Sequence, residues 1–226
     1  MNYHNITKSD MLNGTGLRVV LWVSGCSLQC KNCHNPQTWD KDSGIPFDED
    51  AKQEIFVELE KDYIDGITFS GGHPLEACNT SKILELVKEI REKFPKKTIW
   101  LYTGFIIEEI IYRYACHATN QHYQDTMEIL KNIDVLVDGR YEEKNRDPKL
   151  HWVGSSNQRV IDVPRTLLSL DIPYMLEELE DDQTTGESKY NYREMSAYIG
   201  SRIILKESVF YDEEPSSDYK TCGCGD

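Results

Sequence analysis

An α/β fold with parallel strands is what this sequence predicts, arranged as an open partial (β/α) barrel followed by a C-terminal extension. Three observations lead there. Apolar, β-branched runs alternate with amphipathic helical stretches across short glycine-containing turns, a pattern that implies parallel strands joined by crossovers. Polar and glycine-rich motifs recur just beyond the strand ends, the edge at which parallel α/β folds and barrels bind their ligands. Only four or five such repeats can be counted, too few for a complete eight-stranded barrel.

The run from Leu17 to Val23, bounded by Gly16 and Gly25, reads as a buried strand. Asp50 and Gln53 suggest a capping box that opens a helix over residues 50–61. Gly66–Ser70 is a second strand running into Gly71-Gly72. Ile83, Leu84, Val87, Ile90 and Phe94 share one face of a helix from Thr80 to Phe94. A third strand, Thr98–Thr103, is ended by Gly104. Residues 106–114 read as helical, 115–124 as a polar loop and 125–131 as another helix. Asp134–Asp138, closed by Gly139, is a fourth strand, and Arg159–Val163 a fifth.

At 226 residues the chain is long enough for one good core with an appendage. A hydrophobic fraction of 39% without a long apolar run argues against a transmembrane span. A net charge of −14 argues against general affinity for nucleic acid. The charge is uneven: residues 165–226 carry 14 acids against 6 bases. We therefore expect a core domain over 1–164 and an acidic extension over 165–226. Within that extension, Glu177–Asp182 reads as a solvated acidic segment opening a loop through Gly186, and Tyr190–Lys206 as a helix and a strand. Seven cysteines and no basic-then-apolar pattern at the N-terminus fit a reducing cytoplasm.

Cys26, Cys30 and Cys33 stand within eight residues, directly after the first strand. Closely spaced thiolates favour iron–sulfur clusters or zinc. A 4Fe-4S cubane held by three cysteines keeps one iron open, and an open metal position marks chemistry rather than structure. Three other readings use the same residues. A Cys3His zinc knot would recruit His34, although adjacent Cys33 and His34 converge poorly on one tetrahedral ion. Cys30-Lys31-Asn32-Cys33-His34 matches the attachment pattern of c-type haem, which belongs to exported proteins. A disulfide pair is disfavoured in a reducing compartment.

The C-x3-C-x2-C spacing resembles the signature of the radical S-adenosylmethionine (SAM) superfamily. Ser70-Gly71-Gly72-His73-Pro74, which alone would read as a tight turn, resembles that superfamily's Gly-Gly-Glu-Pro motif, with His73 in the acid's place. The resemblance implies a barrel of the radical SAM type and a 4Fe-4S cluster on Cys26, Cys30 and Cys33. It also implies SAM chelating the fourth iron, with its ammonium received at Gly71, Gly72 and His73. A neutral imidazole accepts a hydrogen bond from that ammonium and an imidazolium repels it, so SAM affinity is expected to fall as His73 gains a proton. Backbone groups of Asn32, Cys33 and His34 are expected to touch SAM. Asp138 either holds SAM or a nearby cation or caps the turn into Gly139, and Thr103 is a candidate of the same kind.

Further segments narrow the resemblance: Asn13–Gly16, Cys33–Trp39, Trp100–Gly104, Val135–Gly139 and Gly154-Ser155-Ser156-Asn157-Gln158-Arg159. Together, over residues 1–164, they resemble the activating proteins of anaerobic ribonucleoside-triphosphate reductase. That resemblance implies an enzyme that installs a glycyl radical on the reductase, fed by a flavodoxin-like electron donor. Ser155–Arg159 would then contact the partner or simply turn the chain into a strand, and the acidic extension would dock on the reductase. Cys78 and Cys116 read as small, partly buried side chains, and Cys222 and Cys224 as a thiol pair on a flexible tail. An activase of another glycyl-radical enzyme and a 7-deazaguanine pathway synthase are neighbouring readings. A non-catalytic iron–sulfur or zinc module is the reading from another class, and it predicts a fully ligated metal and no SAM cleavage.

Overall fold

The computed structural model describes residues 1–170 and 192–206. The strands are β1 (Asn2–Asp10), β2 (Arg18–Val23), β3 (Ile45–Pro46), β4 (Gly66–Gly71), β5 (Thr98–Tyr102), β6 (Val135–Asp138) and β7 (Arg159–Asp162). The helices are α1 (Glu49–Leu59), α2 (Thr80–Lys93), α3 (Ile107–Cys116), α4 (Gln121–Asn132), α5 (Val163–Ser169) and α6 (Tyr192–Gly200). One open sheet runs in the order β3-β1-β2-β4-β5-β6-β7. Its centre is parallel, β2 to β4 to β5 to β6.

The flanks run the other way. β1 pairs antiparallel with β2 and with β3, and β7 pairs antiparallel with β6. The expectation of parallel strands is thus corrected at Arg159–Asp162. Residues 139–158 return from β6 through turns and a single 3-10 turn at Glu143–Asn145, with no crossover helix to reverse the chain again. The sheet is mixed, mainly parallel, and does not close on itself.

Alternation along the strands divides the core in two. Val19, Leu21 and Val23 of β2, Ile67 and Phe69 of β4, Ile99 and Leu101 of β5 and Leu136 of β6 face the helices. They meet Ile55 and Leu59 of α1, Ile83, Val87 and Ile90 of α2, and Ile129 and Leu130 of α4. Each such aliphatic side chain, fully buried, contributes about 1.5–3 kcal/mol. On the opposite face Trp100, Val135, Val137 and Val160 pack beneath Leu150 and Val153 of the 139–158 segment.

The far end of that second face carries Arg18, fully buried in β2. Its five hydrogen bonds go to neutral oxygens: Thr15 O, Ile67 O, Thr98 O, Thr68 Oγ1 and Thr98 Oγ1, at 2.7–3.1 Å. Its guanidinium also lies 5.3 Å from the Trp100 ring. Burial lowers its pKa to about 10.

Helix ends shift by physical cause. Asp48, rather than Asp50, caps α1 by accepting from Ala51 N at 3.0 Å. The expected loop 115–124 shrinks to 117–120, because α3 continues to Cys116 and Asn120 caps α4. The described part of 165–226 packs on the same core. α5 begins at Val163, α6 buries Met195 and Ile199, and Leu205 bridges to Ile161 on the free edge of β7. Glu177–Asp182, the loop through Gly186, Cys222 and Cys224 lie outside the described residues. No helix among the described residues is long and apolar enough to cross a membrane.

Candidate active site

The parallel strands deliver their carboxyl ends to one cavity. The segment after β2 brings Cys26, Cys30 and Cys33, β4 ends in Gly71-Gly72-His73, β5 in Tyr102-Thr103-Gly104, and β6 in Gly139. Seven of the expected site residues thus share one wall: the three cysteines, Gly71, Gly72, His73 and Thr103.

Backbone hydrogen bonds lock this edge. Gly25 N donates to Thr38 O at 2.8 Å and Cys26 N to Trp39 O at 3.0 Å. From the next strand, Gly72 N reaches Val23 O at 2.7 Å and His73 N reaches Gly25 O at 2.8 Å. Gly72 sits where three chain segments meet: a Cβ there would lie 2.7 Å from Gly25 O and 3.0 Å from both Thr38 O and Val23 O. Gly71 has φ +98°, a left-handed conformation that disfavours any side chain. The glycine pair is therefore required by the close passage of the cysteine segment.

The cysteine loop is itself strained, with Gln29 and Asn32 at φ 43° and 56°. Leu28 lies where a Gly104 side chain would be, 2.2 Å from its Cβ position, and Arg140 Nη2 donates to Leu28 O. Asn35 N approaches Cys33 Sγ at 3.4 Å. Burial pushes the Cys26 thiol up, against the pull of the Leu28 and Gln29 backbone N–H groups.

These features fit an iron–sulfur cluster. Thiols lining one cavity with backbone N–H groups aimed at their sulfurs are what thiolate ligands require. Among the described residues no three His, Cys, Asp or Glu side chains converge as a single-ion site needs. A cubane asks instead for one thiolate at each of three separate irons. Among the described residues, the buried Trp39 Nε1 beside the cysteines has no hydrogen-bond partner. Orphaned groups of this kind mark where a polar ligand completes a site.

His73 is buried, and its Nε2 is 2.7 Å from Thr103 Oγ1, which also accepts from Phe105 N at 3.1 Å. Its Nδ1 faces Glu76 Oε2 at 3.5 Å, the outer limit of hydrogen-bond distance. Glu76 Oε2 accepts from Ser27 N at 3.0 Å and Ser27 Oγ at 2.9 Å. The nearby His73 ring, and after it the Ser27 donors working against desolvation, hold the Glu76 carboxyl down at about 2.

Three expected residues stand apart. Asn32 and His34 are exposed, the latter with its ring 5.7 Å from Tyr141. Asp138 is buried and turned away: Arg159 donates to it from Nε at 2.9 Å and Nη2 at 2.5 Å, and Ile107 N donates at 2.9 Å. Arg159 also grips Glu108 through Nη1 at 2.8 Å and Nη2 at 2.6 Å. Burial works against the Arg159 charge, and Glu108 and Asp138 overcome it, holding it above the usual guanidinium range.

The sequence reading missed several residues in or behind this wall. Tyr102 donates its hydroxyl to Trp152 O at 2.7 Å, and burial raises its pKa. Gln158 accepts from Gly154 N at 2.9 Å and donates to Gly139 O at 2.9 Å, so Gly154–Arg159 braces the wall as a turn into β7. Glu76 was not singled out at all; its position three residues past His73 is the only hint the sequence holds.

Comparison with known proteins adds the following. Residues 12–161 match the family described as 4Fe-4S single cluster domain. The chain is 41% identical over 160 residues to the anaerobic ribonucleoside-triphosphate reductase-activating protein of Enterobacteria phage T4, covering 71% of this chain and 93% of that protein. Proteins of the same name from Escherichia coli (strain K12) and Vibrio cholerae are 40% and 38% identical, over 71% and 70% of this chain and 97% and 96% of theirs.

Proposed function

This chain belongs to the family of anaerobic ribonucleoside-triphosphate reductase-activating proteins, and on that premise we propose that it is a radical SAM enzyme that installs a glycyl radical on such a reductase. The observation that carries the reading is the sharing of one cavity by three thiols, the Gly71-Gly72 turn and the ends of four parallel strands. Cys26, Cys30 and Cys33 would each hold one iron of a 4Fe-4S cluster, leaving the fourth for the amino and carboxylate groups of SAM. When bound, the cluster and SAM would supply one-electron reductive cleavage and hydrogen-atom abstraction, directed at the Cα of a glycine of the reductase. Glycine suits the transfer because its radical is delocalised over the flanking amides and no side chain blocks access.

The chain's own residues bind, orient and shield. Gly71, Gly72, His73 and Thr103 form the wall that receives SAM, with the backbone of Asn32 to His34 bordering the cluster. Leu28 against Gly104, together with Tyr102 and Tyr141, keeps water from the reacting centre. Asp138 contributes by holding the end of β6 and the start of α3 in place. The sheet then serves as the open partial barrel of this superfamily. A flavodoxin-like protein is the proposed electron donor, the cytoplasm the proposed location, and the acidic 165–226 region the proposed docking surface for the reductase.

The test is anaerobic reconstitution with iron and sulfide, dithionite reduction and electron paramagnetic resonance with and without SAM. A reduced-cluster signal that shifts with SAM, with 5′-deoxyadenosine accumulating, is expected, as is a glycyl signal once the reductase is added. A cluster signal indifferent to SAM would reduce the protein to an electron-transfer or binding module.

A further inference from the structure

Glu76 is absent from the wall that the three cysteines share, yet it touches both loops that build that wall. From the cysteine side, Ser27 commits its backbone N–H and its hydroxyl to Glu76 Oε2, at 3.0 and 2.9 Å. From the β4 side, the buried His73 Nδ1 faces the same oxygen at 3.5 Å and has no other partner among the described residues. Behind the ring, Thr103 Oγ1 stands 2.7 Å from Nε2 while accepting from Phe105 N at 3.1 Å.

For a neutral His73 ring, the hydrogen-bond partners favour one tautomer. Thr103 Oγ1 accepts from Phe105, so its own proton is free to point at Nε2. Nε2 then accepts and Nδ1 carries the ring proton toward the carboxylate. The opposite tautomer would set a bare Nδ1 lone pair against a carboxylate, two acceptors face to face in a buried site.

We propose that Glu76 is a positioning residue for SAM: it fixes His73 as the Nδ1–H tautomer and ties Ser27, next to the first cysteine, to the Gly71–Pro74 turn. The inference rests on the SAM-binding reading for its consequence and on geometry alone for its tautomer. SAM carries a sulfonium and an ammonium, so a carboxylate backing the ring also makes this wall more attractive to a cation. The depressed Glu76 pKa agrees with a carboxylate that stays ionised throughout the working range.

Two measurements test it. In cluster-free protein labelled with 15N-histidine, His73 is expected to show its proton on Nδ1, and E76Q is expected to shift population toward Nε2–H. In reconstituted, reduced protein, the SAM dissociation constant is read from the change in the cluster's paramagnetic signal. E76Q should raise it about tenfold, at unchanged iron and sulfide content, because the carboxylate that orients the His73 ring and ties Ser27 to the turn loses its charge. In an H73L background, where Ser27 stays tied to Glu76 but no ring remains to orient, the E76Q penalty should be clearly smaller; this coupling separates positioning of the ring from general weakening. An Nε2–H tautomer in the unmodified protein, unchanged SAM affinity in E76Q, or equal penalties in both backgrounds overturns the proposal. Unmodified protein indifferent to SAM would overturn the proposed function and the SAM half of this inference, while the tautomer result is decided by the first measurement.

Discussion

Replacing Arg159 by methionine is expected to cost about 3–5 kcal/mol of stability, the range for removing one member of a buried ion network. The arginine donates to Asp138 at 2.9 and 2.5 Å and to Glu108 at 2.8 and 2.6 Å. Both carboxylates are buried, with 0% and 5% of their surface exposed, so water cannot replace the lost donors. Summing four charge-assisted bonds at about 1.5–3 kcal/mol each would overshoot, because stranded carboxylates take up protons instead of remaining charged. Methionine retains much of the side chain's length, which leaves the electrostatic loss dominant. R159K keeps the charge but lacks the planar fork, and should fall between the two. Urea unfolding of cluster-free protein at neutral pH, followed by far-ultraviolet circular dichroism, measures the differences. The R159M deficit should narrow on acidification, as Asp138, whose pKa burial raises, becomes neutral. A deficit below about 1 kcal/mol, or one that does not change with pH, would refute the view of this network as a coupled ionic clamp.

Other outcomes follow from the same structure. G72A should lower stability by about 1–3 kcal/mol and disturb the cysteine segment, since its Cβ would meet Gly25 O at 2.7 Å; a thermal melt and the iron content after reconstitution report both. C26S, C30S and C33S should each reduce bound iron, whereas C78S and C116S should retain it, as a colorimetric iron assay would show. T103V strands His73 Nε2 and Phe105 N–H and should cost about 1–3 kcal/mol in urea unfolding. Acid should act through Glu76, whose environment includes His73, His122, Ser27, Cys26 and Cys78. Its folded pKa is depressed, so its contribution is full above the ordinary value of 4.5 and is lost as pH falls toward about 2. E76Q should lack that part of the acid sensitivity in a pH series of denaturant melts.

The central strands were legible because β-branched runs such as Val19–Val23 and Val135–Val137 have few alternatives to a buried sheet. β1 was not legible: only Tyr3 and Ile6 of Asn2–Asp10 are buried, so its pattern reads as polar. The direction of β7 was hidden as well, because composition marks a strand without saying which way it runs. The cysteines and the glycine turn stood out through chemistry and conformation that other residues cannot supply. Glu76, Gln158 and Tyr102 are ordinary residue types whose parts emerge only when the chain brings Ser27, Gly139 and Trp152 to them. Asp138 was expected to hold SAM or a cation or to cap the turn into Gly139; its partner, Arg159, lies 21 positions away across a strand reversal and was not foreseen.

Arg18 divides the sheet's labour by geography. Its guanidinium joins β2, β4 and β5 near their starting ends, at the opposite end of the strands from the thiols, and saturates all five donors on oxygens of Thr15, Ile67, Thr68 and Thr98. A foundation pinned there frees the exits of the same strands for chemistry, where glycine turns and a left-handed cysteine loop would otherwise loosen the fold. Mutational tolerance should therefore be polarised along the strands. Changes at Thr68 or Thr98 would undermine the whole molecule, while changes at the other pole would be felt first in the cysteine segment and the glycine turn.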